Sequence, residues 1–154
     1  MTRKDEIGKR KGVYLIVVDE SEELTTAIDY ACQFANAEGG YVALLYVVEQ
    51  VFVQNWQNIE DRVRQEMRQK AEQIIWDAAG LVKDKTGTVP MVFIKEGDCS
   101  DIVVQTLEDN NNIVSLILAA SAHSSNPGPL VTYFSGKGVS RIPVPLMIIP
   151  GHLT

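Results

Sequence analysis

The residues able to do chemistry cluster just after short apolar runs. Asp19 and Glu20 follow "VYLIVV", Lys95 and Glu96 close "VPMVFIKEG", and Ser121 and His123 follow "IVSLILAA". The last run, "VPLMIIP", leads into Gly151 and His152. Each of these constellations fits a known chemistry only in part. Phosphoryl transfer to an aspartate needs an acidic pair, then an Asp after the third run and a Lys after the last. Asp19-Glu20 supplies the pair, but Lys95-Glu96 and Pro150-Gly151-His152 stand where the other two belong. A nucleophile elbow needs a serine between small residues at a strand-to-helix turn. "AASAH" offers Ser121, with His123 in place of the second glycine and no acid partner in the expected place after it. A dinucleotide fingerprint would put glycines after the first run, where "DESEEL" stands, and no Walker A motif occurs. The stretch "LILAASAHSSNPGPLV" (116–131) is the remaining candidate, because loops from a strand into a helix often hold phosphate.

The chain that must position these residues has 154 of them, the size of one domain. That length buries roughly 70% of its unfolded surface in a single core. Lys and Arg number 14 against 20 for Asp and Glu, a net charge of −6, so no basic field favours nucleic acid. Arg3, Lys4, Lys9, Arg10 and Lys11 gather near the N-terminus, and residues 1–12 are expected to form a flexible basic tail ahead of one domain over 13–154. No apolar stretch approaches the ~18–20 residues that span a membrane. "VYLIVV" is too short for an export signal and runs into "DES". Cys32 and Cys99 make no disulfide framework and fall on apolar helix faces, as buried small hydrophobes. A cytoplasmic protein is expected, with no nucleic-acid or membrane partner.

The apolar runs read as buried strands over 13–19, 41–49, 89–97, 113–120 and 144–150. Helices alternate with them. Ser21 is the expected cap of the first, with Glu22 and Glu23 in its first turn, where the helix dipole favours negative charge; Gly39-Gly40 ends it. The second carries Ile59, Val63, Met67, Ile74, Ala78 and Leu81 on its expected buried face and stops at Gly87. Asp98 caps the third, which runs to about Asp109, and a short fourth lies near 129–137. Strands alternating with helices specify an α/β domain, a doubly wound parallel sheet forming an open sandwich with helices on both faces.

In this order and spacing, three motifs resemble the universal stress protein family. They are "VVDES" (17–21), "KEGD" (95–98) and "IPVPLMIIP" (142–150), and the resemblance covers about residues 12–151. It implies the five-stranded order 3-2-1-4-5, a cytoplasmic stress-response or regulatory binding module, and an adenine nucleotide, ATP or AMP, with Mg²⁺ if ATP. It implies that Asp19 lies beside the adenosine and that Val47 and Val48 line the adenine pocket. The family's phosphate loop is G-x-x-G, nine residues, then G-S or G-T. Here Ala120 and His123 stand at the two glycines, and Ser135, Gly136 and Lys137 correspond loosely to the final pair.

Physically this loop is a changed cradle. Glycine lets backbone amides turn toward an anion, whereas Pro127 and Pro129 each remove a donor and stiffen the chain. Ser121, Ser124, Ser125 and Asn126 offer side-chain donors instead, and Lys137 offers charge. Three functions stay open on these residues: a nucleotide-binding regulatory module, a slow Mg-dependent ATPase, and a protein-interaction domain with no small ligand. In the family's strand order the fifth strand is at an edge. Its apolar residues Val144, Leu146, Met147, Ile148 and Ile149 are therefore expected to pair with a second copy in a homodimer.

Overall fold

The structure, a computed structural model, describes residues 12–49, 61–122 and 125–151. The expected basic tail, apart from Gly12, and His123 lie outside these residues. Five strands form one parallel sheet: β1 Val13–Val17, β2 Tyr41–Glu49, β3 Met91–Gly97, β4 Ile113–Ala120 and β5 Leu146–Pro150, in the order β3-β2-β1-β4-β5. Between them run α1 Leu24–Glu38, α2 Asp61–Thr86, α3 Cys99–Asp109 and α4 Pro129–Phe134, with a 3-10 turn at Val139–Arg141. The chain winds outward from β1 to β3, then returns to place β4 against the other side of β1. That reversal opens a crevice at the carboxyl ends of β1 and β4.

Alternation along β1 builds both cores. Ile16 and Val18 join Ala27, Ile28, Ala31 and Cys32 of α1, and Ile75, Ala78 and Val82 of α2. Val13, Leu15 and Val17 join Val103, Val104 and Leu107 of α3, and Val131 and Phe134 of α4. Leu15, Ile16, Leu44, Ile117 and Phe134 are fully buried, each side chain contributing about 1.5–3 kcal/mol of transfer free energy. Lys85 pairs with Asp29 at 2.7 Å and so ties the end of α2 to α1. Among the described residues, no helix is long and apolar enough to cross a membrane.

Several local expectations are corrected. Ser21 does not cap α1. Its amide and hydroxyl both donate to Asp19 Oδ1, and Leu24 N–H donates to Ser21 O in a tight turn that delays the helix to Leu24. The buried face of α2 is Ala71, Ile75, Ala78, Ala79 and Val82, while Val63 and Leu81 are exposed. The small alanines let α2 lie close to the sheet, so the helix is rotated from the orientation its larger residues suggest. Ile59 is outside the described residues. Asp98 does cap α3, accepting from Asp101 N–H at 3.1 Å. The fourth helix stops at Phe134, short of 137, as Gly136 N–H donates to Tyr133 O, three residues back, instead of continuing the four-residue helical ladder. β2 and β4 have the expected bounds, but three strands are shorter: β1 ends at Val17, β3 starts after Pro90 and β5 after Pro145, prolines without an N–H for the ladder.

Candidate functional site

The crevice at the strand reversal holds a cavity of about 430 Å³. Val17, Val18, Val47, Leu118 and Val131 give it apolar walls, with Tyr46 at its side. This combination of volume and lining is that of a small-molecule site. Asp19, Glu20, Glu23 and Glu49 supply carboxylates around it, and Cys99, Ser121 and the run 127–130 complete it.

Each wall has a local cause. After β1 the chain turns sharply, because Asp19 Oδ1 accepts from Ser21 N–H at 2.9 Å. That turn keeps the exposed Asp19 at the mouth. Glu20 leans outward to Lys70 of α2 at 3.1 Å. Glu23 precedes α1 and is buried, and its Oε1 accepts from Ala122 N–H at 3.1 Å. Gly151 lies directly over this side chain: a Cβ there would sit 2.0 Å from Glu23 Cγ and 2.8 Å from Ala120 O. One carboxylate therefore joins the start of α1, the end of β4 and the end of β5.

On the opposite wall, the loop after β4 is closed by its own bonds. Ser121 N–H donates to Pro127 O at 3.1 Å, and Gly128 N–H donates to Asn126 Oδ1 at 3.0 Å. Gly128 has φ +116°, a conformation that only glycine adopts easily, and it delivers the chain to Pro129 at the first turn of α4.

Burial, reinforced by Glu49, pushes the Cys99 thiol up to about 12, so it is neutral at physiological pH. Burial is also the first cause that raises Tyr46, followed by Glu20. Among the described residues, no three side chains of metal-ligating type converge.

Of the residues singled out in the sequence, Asp19, Val47 and Ser121 meet in this cavity. Val48 is buried beside it in β2 and does not line it. Ala120 is half-buried and pairs with Pro150. Ser135 and Gly136 close the end of α4, where Ser135 Oγ–H donates to Val131 O at 2.6 Å and Gly136 N–H to Tyr133 O at 3.2 Å. Lys137 does not line the cavity; it lies in a more open depression with Ser125, Asn126 and Tyr133 that shares Pro127 and Pro129 with the cavity. Sequence reasoning missed Glu23, Tyr46, Glu49 and Cys99 as lining residues. Position after a strand was a usable signal for Glu49; Glu23 and Cys99 carried none beyond helix-end composition.

Comparison with known proteins gives the site its context. The family model described as the universal stress protein family matches residues 14–150. Universal stress protein UspA from Lactobacillus plantarum superposes with a TM-score of 0.66 at 16% identity, over 91% of this chain and 98% of that one. A universal stress protein in complex with cAMP superposes with a TM-score of 0.63 at 15% identity, over 91% and 97%. The universal stress protein from Archaeoglobus fulgidus in complex with dAMP does so with a TM-score of 0.54 at 11% identity, over 91% and 98%. No curated protein matches the chain in sequence. The chain belongs to the universal stress protein family.

Proposed function

We propose that this universal stress family chain is a regulatory module that binds an adenine nucleoside or nucleotide in the cavity at the strand reversal. The observation that carries the reading is the cavity itself: about 430 Å³, apolar on its sheet side, with Asp19 at its mouth. An adenine ring fits between Val17, Val47, Leu118 and Val131, and the Asp19 carboxylate is placed to accept from ribose hydroxyls. Structural relatives in complex with cAMP and dAMP support the same ligand class. The role is binding rather than turnover, in the cytoplasm, by one domain over residues 13–154. Mg²⁺ would take part only with a polyphosphate. Native mass spectrometry of the purified protein, followed by calorimetry with adenosine, AMP and ATP against guanosine, tests the reading. Saturable binding of an adenine ligand, with guanosine excluded, is expected; no binding by any of the three would overturn it.

A homodimer through β5 accompanies this reading. β5 is an edge strand, with Leu146, Met147 and Ile148 half-buried, while Val144 and Ile149 are buried within the chain. Light scattering should give a dimer at tens of micromolar, and Ile148→Lys should dissociate it. A parent protein that is monomeric there removes the edge pairing.

A further inference from the structure

We propose that Glu49 is the base-reading residue of the cavity: its side-chain oxygen accepts from the exocyclic amino group of a 6-aminopurine and rejects 6-oxopurines. The inference rests on the adenine-ligand reading above and names the group that makes the choice. It starts from the pleat of β2. Leu45 and Val47 face the core built with α3, and alternation puts Glu49 on that same face, two residues beyond Val47. Cys99 opens α3, and its thiol donates to the Glu49 side chain. Across the ladder Glu49 pairs with Gly97, so the neighbouring position on β3 carries no side chain. Glu49 and Cys99 both line the cavity.

The four acidic residues of the cavity are not equivalent. Asp19 accepts from Ser21 in its own turn, Glu20 pairs with Lys70, and Glu23 accepts from Ala122 N–H. Glu49 meets a thiol, which is a weak donor, and a carboxylate has room for about four hydrogen bonds. Lys95 of β3 donates to Thr106 Oγ1 at 3.0 Å. The position also fits the outline of a nucleoside. β2, β1 and β4 lie side by side, with Glu49 at the end of β2, Asp19 after β1 and Ser121 after β4. With the ribose at Asp19, between the other two, the base lies over Val47 and turns its six-membered ring toward Glu49. Adenine presents an N–H donor at that edge, whereas guanine and hypoxanthine present a carbonyl oxygen. A 6-oxopurine would set two acceptors against each other, and a site built to receive an N–H strongly rejects a ligand without one.

Calorimetry with adenosine, inosine and purine riboside compares the parent with Glu49→Gln and Glu49→Asp. Inosine has an oxygen where adenosine has the amino group, and purine riboside has only hydrogen. The parent should bind adenosine at least about tenfold more tightly than either. In Glu49→Gln the amide can donate to the inosine oxygen, so inosine should tighten and come within about threefold of adenosine, with purine riboside unchanged. A purely structural role would weaken all three ligands together, and that result would overturn the proposal. Equal binding of adenosine and purine riboside by the parent would overturn it as well, and leave the cavity standing as a nucleoside site. An adenosine–inosine gap unchanged in a folded Glu49→Gln would overturn Glu49 as its cause. If Glu49→Gln does not fold, Glu49→Asp decides, because it withdraws the acceptor by one methylene and keeps its type. Adenosine should then weaken at least about threefold toward purine riboside, and an unchanged adenosine affinity would overturn the proposal. If none of the three ligands binds the parent, the adenine reading falls and takes this one with it.

Discussion

The two walls of the pocket come from the same topology and differ in what they can bind. The wall made by β1, β2 and the turn after β1 is open to a ligand: apolar side chains below, and Asp19 exposed at the rim. The wall made by the loop after β4 is bonded to itself, to Asn126 and to Glu23. A strand reversal guarantees a crevice, but individual loop residues decide what the crevice offers. Here one wall is apolar with a carboxylate at its rim, and the other carries two prolines and a buried carboxylate.

The largest effect on this contrast should come from Gly151→Val. The new side chain would collide with Glu23 Cγ and Ala120 O, contacts of 2.0 and 2.8 Å, and force the loop wall outward. A loss of about 2–3 kcal/mol is expected, read as a lower urea midpoint. An unchanged midpoint would mean that Glu23 does not tie β5 to the loop.

Pro127→Gly with Pro129→Gly attacks the same wall from the other direction. Releasing two fixed φ angles should cost about 1–2 kcal/mol in stability through the unfolded chain. It also restores two amides, so ATP should gain on AMP. If the ratio of the two affinities stays at the parent value, the phosphates do not approach this loop.

Asp19→Ala tests the open wall. Asp19 is exposed and, among the described residues, hydrogen-bonds within its own turn, so stability should move by no more than about 0.5 kcal/mol. Adenine-ligand affinity should fall by about 1–2 kcal/mol, the worth of a hydrogen bond to a charged group. Equal affinity in calorimetry removes Asp19 from the site.

The smallest effect is a rate. With its thiol pushed up to about 12, Cys99 is almost wholly protonated at pH 8, and it should alkylate at least about tenfold more slowly than free cysteine. The sign follows from burial: the folded chain favours the neutral thiol, so this preference stabilises the fold below the ordinary thiol range and is lost as pH rises toward 12. Because Cys99 lines the cavity, saturating ligand should slow the reaction further. Equal rates with and without ligand would place the ligand elsewhere.

The sheet was legible because its strands are buried on both faces and so read as β-branched apolar runs, set off by Gly39, Gly87 and Asp98. The open wall was legible for the same reason, since its residues sit at strand ends. What escaped depends on contacts distant in sequence. Glu23 reads as an ordinary acid at a helix start until Ala122 and Gly151 arrive beside it. The face of α2 escaped because alanine, not the larger Val63 or Leu81, meets the sheet. Lys137 is near the loop in sequence, but the tight turns after Phe134 place it in the neighbouring depression, which meets the cavity only at Pro127 and Pro129.

The strand order also has a consequence in time. β1 pairs with β2 nearby in the chain, but its other neighbour, β4, begins at Ile113. Closing that long loop is entropically costly and belongs late in folding. The pocket spans this seam, with Asp19 on the early half and Ser121 on the late half. A ligand held there binds only the finished sheet. At a hundredfold excess over its Kd it would slow the halves' separation by adding about 2.7 kcal/mol to the native state. Occupancy of the pocket would then also govern how long each molecule survives a heat or proteolytic challenge.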